Sequence, residues 1–275
     1  MYICAKRIQM KEIKELLLGD IHCRDFWKEP VKNVLENHPN AHITFLGDYV
    51  DGYPFEWEGT NIDYKQQGVD NLETIIGLKK YYPDRITLLL GNHDCGYAIS
   101  HDICDCRTDT THQSKIEDLF KLNRNCFQLI HHIDAGQKIL LTHAGLKRDF
   151  LKQNKIDPDK FDVEAYFNNA WATNDYKVLM KLGDVDKYRG GFWYTGRAGS
   201  FIWSDIEDWF DGKTPKDEGF GFQIFGHTYL KNSPIINDKF ACLDCRKAFV
   251  IGDDNVLDTY ENFIKDDNKE EDKEK

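Results

Sequence analysis

Short apolar runs that end in glycine set the rhythm of the first hundred residues. Leu16–Leu18 leads into Gly19-Asp20-Ile21-His22, Ile43–Leu46 into Gly47-Asp48-Tyr49-Val50-Asp51, and Ile86–Leu90 into Gly91-Asn92-His93-Asp94. Continuous apolar runs of this length predict buried strands. Between them, Asp25–His38 carries helical apolar periodicity with Pro30 near its start, and Tyr64–Tyr82 reads as a second helix. Strand and helix alternate, which predicts an α/β domain. Two later runs end the same way: Ile139-Leu140-Leu141 reaches Thr142-His143-Ala144-Gly145, and Phe225 reaches Gly226-His227-Thr228. From Lys147 to about Gly183 a helical stretch carrying Phe161, Tyr166, Phe167, Trp171, Leu179 and Met180 interrupts the strand series and reads as core and lid.

The polar residues after each run matter more than the run itself. A single Gly-Asp after a strand is ordinary turn chemistry. Five strand ends carrying carboxylate, amide or imidazole donors are harder to obtain from turns alone, and strand ends of open α/β sheets face the ligand crevice. Donors of these types without a thiolate suit Mn, Fe or Zn. Two such ions clamp a phosphoryl group, lower the pKa of a bridging water and stabilise in-line displacement. His93 is the natural general acid, because histidine alone titrates unperturbed near neutral pH. Asp94 is open between supporting the site and capping the turn, with the turn favoured.

Taken in order, GD-x-H at Gly19, GD-x-x-D at Gly47, GNH-D at Gly91, HAG at His143 and GH at Gly226 resemble the pattern of the calcineurin-like metallophosphoesterases. Within that superfamily, Gly47-Asp48-Tyr49-Val50-Asp51 and Phe201-Ile202-Trp203-Ser204-Asp205 are similar to motifs of the serine/threonine protein phosphatase branch and its diadenosine-polyphosphatase relatives. The resemblance implies central mixed β-sheets in a sandwich flanked by helices. It implies that Asp20, His22 and Asp48 hold one of two metal ions, that Asp48 bridges, and that Asn92, His143 and His227 complete the second. It also implies that Asp51 orients His93, which protonates the leaving group while a metal-bridging hydroxide attacks a phosphomonoester. A phosphoprotein phosphatase is the leading expectation; a hydrolase of diadenosine polyphosphates or other nucleotides is the alternative, and an idle protein-binding scaffold a weaker one.

Two departures from the phosphatase pattern stand out. Gly52 occupies the place of an arginine that follows the second Asp, so the substrate grip must come from elsewhere, with Arg24, Arg189 and Arg197 as candidates. Tyr229 stands where phosphodiesterase branches carry a further histidine, which argues against a nuclease.

Composition adds bounds. A chain of 275 residues with 41% hydrophobic content fits one catalytic domain over residues 1–260, with insertions near 52–63, 100–113 and 147–183. Residues 261–275 are expected to form a charged, disordered tail. A net charge of −11 argues against an extended nucleic-acid surface. No signal peptide or membrane-spanning run is visible, so a cytoplasmic location and reduced cysteines are expected. The C-x-x-C spacing at Cys242 and Cys245 reads as packing.

Overall fold

The computed structural model describes residues 11–103, 106–183 and 199–265. The three leading apolar runs form β1 (Ile13–Leu18), β2 (His42–Phe45) and β3 (Ile86–Leu89), which lie parallel and side by side, with β4 (Phe127–Gln128) parallel beyond β3. The crossovers are helical: α1 (Lys28–Asn37) joins β1 to β2, α2 (Tyr64–Tyr81) joins β2 to β3, and α3 (Asn92–Ala98) and α4 (Gln113–Leu122) join β3 to β4. Helix α2 starts where expected, at Tyr64, capped by Asp63, whose carboxylate accepts a hydrogen bond from the Gln66 amide and satisfies a free N-terminal donor.

The chain then builds a second sheet. β5 (His131–Asp134) turns back antiparallel onto β6 (Lys138–Leu141). After a small hairpin of β7 (Phe210–Asp211) and β8 (Thr214–Pro215), β9 (Phe222–Phe225) pairs parallel with β6. The edge is completed by β10 (Ile235–Ile236) and β11 (Phe240–Cys242). β12 (Ala248–Gly252) and β13 (Leu257–Thr259) return to the first sheet, where β12 runs antiparallel to β1. The result is a six-stranded and a five-stranded mixed sheet.

Alternation along each strand decides what is buried where. Leu17, Leu89, Phe249 and Ile251 of the first sheet pack against Ile139, Leu141, Ile224 and Ala241 of the second, making the layer between sheets. Their neighbours Leu16, Leu18, Ile43, Phe45 and Leu88 point the other way, onto Val31, Val34, Val69, Leu72 and Ile75 of the helices. Burial on both faces explains why these strands read as unbroken apolar runs. The arrangement is the expected sandwich of mixed sheets flanked by helices.

The long helical stretch is interrupted. It divides into α5 (Arg148–Gln153), α6 (Val163–Thr173) and α7 (Tyr176–Leu179), followed by a short 3₁₀ turn. Pro158 lies between the first two, and Asn174 takes a left-handed conformation, φ 54°, that ends α6. Phe167 and Trp171 are nevertheless buried in the main core, as their apolar spacing implied. At the C-terminal end, residues 261–265 are helical and Phe263 packs into the core. The folded chain thus runs beyond residue 260, and the remainder of the expected tail, 266–275, lies outside the described residues. Among the described residues no helix is long and apolar enough to cross a membrane.

Candidate metal and catalytic centre

Five strand ends meet in one place, three from the first sheet and two from the second. The loops after β1, β2 and β3 bring Asp20, His22, Asp48, Asp51, Asn92 and His93, and those after β6 and β9 bring His143 and His227; all eight side chains are buried. Asp48 lies at the centre. Its Oδ2 is 3.5 Å from Nε2 of His22 and 3.5 Å from Nε2 of His143. Asn92 Oδ1 lies 3.0 Å from both His143 Nε2 and His227 Nδ1. His22 Nε2 is 3.8 Å from Asp20 Oδ2.

These donor-to-donor separations are those of ligands that each approach one ion to about 2.0–2.2 Å. Tautomers agree with that use. Nδ1 of His22 donates to the Val50 carbonyl at 2.9 Å and Nδ1 of His143 to the Leu46 carbonyl at 2.8 Å, which leaves each Nε2 as a lone-pair donor. Asp20 Oδ2 is buried without any hydrogen-bond partner. A fully buried carboxylate oxygen left unpaired is costly, and a cation removes the cost. Two groups of donors lie close enough to hold an ion, His22, Asp48 and His93 in one and Asp48, His143 and His227 in the other, with the unpaired Asp20 oxygen beside the first and Asn92 Oδ1 beside the second; the residues fit two metal ions sharing Asp48.

Backbone strain is concentrated at the same residues. His22 (φ 41°), Asp48 (φ 53°), Asp51 (φ 61°) and His227 (φ 67°) all occupy the left-handed region, uncommon for residues with a side chain, as do Cys23 next to His22 and, elsewhere, Lys155, Asn174, Arg246 and Asn255. Gly91 meets a different demand. A Cβ there would lie 2.1 Å from Asp48 Oδ1, so the glycine is needed for the carboxylate to pass.

Without metal the cluster is electrostatically frustrated. Burial, reinforced by Asp48, pushes the Asp20 carboxyl up to about 7. Burial also pushes His22 well down. His143 behaves oppositely: burial opposes its charge, but Asp48 and Asp20 raise it to about 10. A raised folded pKa contributes stability that is complete below the unfolded value, 6.5 for histidine, and is lost as pH rises through the folded one. His22 is neutral in both states above that unfolded value and adds no slope. The metal-free protein should accordingly lose a few degrees of thermal midpoint between about pH 7 and 9. Manganese should abolish that slope, because a metal ligand must be neutral imidazole. Thermal unfolding in chelator and in Mn²⁺ checks this; equal slopes in both would count against the assignment of His143 as a ligand.

His93 is grouped with His22 and Asp48 as a possible donor, its ring edge-on to that of His22 with centroids 5.1 Å apart. Its Nδ1 donates to Asp51 Oδ2 at 2.8 Å, leaving Nε2 as the outward nitrogen. The partner carboxylate is itself fixed. Asp51 Oδ1 accepts from the Tyr97 hydroxyl at 2.7 Å and from the Asp109 amide at 2.9 Å. His93 and Tyr97 lie four residues apart on α3, one helical turn, so both reach the same carboxylate. That spacing is present in the sequence, but no motif there marks Tyr97. Asp94 supplies a turn cap and more: its carboxylate accepts from Gly91 N at 2.8 Å and reaches across to Asp48 N at 2.7 Å and Tyr49 N at 3.1 Å. It ties the second motif to the third.

The expected phosphate grips fare differently. Arg24 is buried and its fork is bidentate to Glu56, at 2.7 and 3.1 Å. The same carboxylate pairs with Arg246, which also donates to the Tyr229 hydroxyl at 2.9 Å. Arg189 and Arg197 lie outside the described residues. Sequence reasoning missed Arg107, whose guanidinium lies 3.7 Å from the centroid of the Tyr53 ring, a ring that itself packs against His22. Arg107 sits in a polar insertion where no periodicity marks one residue over another.

Cysteines adjoin the centre without supplying a thiolate to it. Cys23 is the nearest thiol in sequence to the first motif, and burial pushes it up to about 12, so it is not a thiolate at neutral pH. Cys242 and Cys245 are buried and free, as a packing role requires. The expectation of reduced cysteines fails at Cys106, which is disulfide-bonded; it lies half-buried in the polar insertion, and its sulfur accepts a hydrogen bond from the Asn92 side chain.

Comparison with known proteins bears on this geometry. Residues 13–230 match the family described as calcineurin-like phosphoesterase. Over 229 residues the chain is 25% identical to the serine/threonine-protein phosphatase 6 catalytic subunit of Drosophila melanogaster, aligning 80% of this chain with 59% of that protein. The chain thus spans less than two thirds of this curated relative. The crystal structure of a cold-active protein-tyrosine phosphatase from a psychrophilic Shewanella has a TM-score of 0.55 at 15% identity, covering 90% of this chain and 80% of that one. A point mutant of a cold-active protein-tyrosine phosphatase gives 0.52 at 14% identity with the same coverage. At these identities the solved structures speak for the fold.

Proposed function

The chain belongs to the calcineurin-like phosphoesterase family, and we propose that it hydrolyses phosphomonoesters, with phosphoserine and phosphothreonine in proteins as the substrate class. It is a metal-dependent phosphatase. The observation that carries the finer reading is the His93–Asp51 pair set against the donor cluster. Two ions bound there would offset phosphoryl charge and lower the pKa of the attacking water. The chain's own part is to place the donors and move one proton.

In this reading water forms the new P–O bond and the ester P–O bond breaks. His93 delivers its Nε2 proton to the departing alkoxide, which is too basic to leave unprotonated. Asp51 accepts the Nδ1 hydrogen bond and so orients the ring, with Nε2 left to carry the transferred proton. Tyr97 and the Asp109 amide hold Asp51 in turn. No nucleophilic side chain takes part, in keeping with the elevated Cys23.

The protein-substrate assignment draws support from the phosphatase 6 relative and from Trp203-Ser204-Asp205. In the fold, Trp203 packs edge-on against the His227 ring, with centroids 5.4 Å apart, so the motif buttresses a donor. Phosphoserine, phosphothreonine and phosphotyrosine peptides assayed beside diadenosine tetraphosphate in Mn²⁺ test the class. The reading expects higher kcat/KM on the phosphoserine and phosphothreonine peptides. A preference for the tetraphosphate would replace it with a nucleotide hydrolase, and inertness toward all four with a scaffold.

A further inference from the structure

Gly52 does more than lack an arginine. A Cβ at this position would meet Tyr64 Cδ2 at 3.0 Å, the His22 carbonyl oxygen at 3.2 Å and Trp57 Nε1 at 3.2 Å. Trp57 and Tyr64 are stacked, 12° from parallel with centroids 5.7 Å apart, and fill the path a long side chain would take. Any substitute cation must approach from another side. It does so across a cavity of about 330 Å³ whose lining includes Gly52, Pro54, Tyr64, Lys65, Arg107 and Asp109, and which abuts Asp51.

Two cations line that cavity, and its two carboxylates are already engaged. Asp51 faces His93, Tyr97 and the Asp109 amide. Asp109 accepts from Thr111 N at 2.8 Å, His112 N at 3.3 Å and His112 Nδ1 at 2.7 Å, and Lys65 Nζ stands 3.5 Å from it. Arg107 is exposed and, among the described residues, forms no ion pair; its Nη2 donates to the Asp51 carbonyl at 3.1 Å and its plane rests on Tyr53. Arg24 and Arg246 are the contrast, since both are held by Glu56. A guanidinium seated on an aromatic ring without a carboxylate partner keeps its fork for an incoming anion.

We propose that this cavity is a substrate subsite for a second anionic group, the carboxylate or phosphate of a residue adjacent in the peptide to the one being dephosphorylated. Arg107 binds that group, Lys65 adds positive charge beside it from its ion pair with Asp109, and both act on specificity without taking part in proton transfer. The inference rests on the phosphopeptide reading above.

Three phosphopeptides differing only at the flanking residue test it: one neutral, one glutamate, one a second phosphoserine. Wild type should prefer both charged peptides over the neutral one by roughly tenfold or more, through KM. Arg107→Met and Lys65→Met should each shrink that preference severalfold, and high salt should shrink it in wild type. A wild type without preference, variants that keep it, or variants that lose the same factor on all three peptides would overturn the subsite. Dependence on the phosphoserine peptide alone would restrict the group to phosphate, and dependence on diadenosine tetraphosphate alone would overturn the peptide assignment. Calorimetric binding of the glutamate peptide to metal-free wild type and Arg107→Met gives a readout without turnover: equal affinities overturn the subsite. Failure to hydrolyse p-nitrophenyl phosphate would instead overturn the phosphatase reading, and the binding arm then decides the subsite separately.

Discussion

Asp48→Asn lowers kcat/KM for p-nitrophenyl phosphate by roughly a thousandfold or more, and purified protein retains fewer than two ions per chain. Even outer partners of metal ligands are worth about 10- to 100-fold, and Asp48 is the one residue here shared by both donor groups. Its Oδ2 stands at equal distances from His22 and His143, while Oδ1 accepts the His93 amide at 3.0 Å. Asparagine keeps the shape but not the charge that two adjacent cations need. The main-chain tie from Asp94 to position 48 is untouched by the change, so the variant should fold with a cooperative thermal transition. Metal analysis and kinetics on the same preparation check the outcome; two ions and full turnover would contradict the bridging role.

His93→Ala should separate proton transfer from metal binding. The variant is expected to keep two ions per chain, yet to lose about 10²- to 10⁴-fold in kcat on a phosphoserine peptide, the usual range for a general acid. The loss should be much smaller on p-nitrophenyl phosphate, whose leaving group departs without help. Asp51→Asn should fall between wild type and His93→Ala, because it alters the ring's partner and leaves the ring in place. Leaving-group dependence is the informative readout: equal losses on both esters would place His93 in metal binding or packing instead.

So much of the centre was legible because of where its residues sit. Asp20, Asp48, Asn92, His143 and His227 each stand two or three residues beyond a buried strand, and an apolar run followed closely by a donor is a local signal. Their convergence could be read because five such signals occur in one order. Asp51 and His93 belong to the same loops, and the structure brings them within hydrogen-bond distance.

The grip on the substrate was not legible in this way. Glu56 closes a short 3₁₀ turn, Arg107 and Arg246 lie in loops of two other parts of the chain, and the role of each cation depends on which carboxylate it meets. Arg24 looked available in sequence and is occupied by Glu56, 32 residues away. The break in the 147–183 stretch has a local cause that apolar spacing does not report, the left-handed Asn174 together with Pro158. Phe263 is likewise buried in the main core, near Gly252 at the end of β12, a long-range contact that no local spacing reports.

If the strand-end donors form a two-metal centre, turnover must track its occupancy. Stripped wild-type protein should be titrated with Mn²⁺ while bound metal and phosphatase activity are followed together. Negligible activity is expected in the stripped protein, rising to a plateau at about two ions per chain, the stoichiometry of a two-metal site. Full activity in protein carrying well under one ion per chain would be incompatible with such a centre.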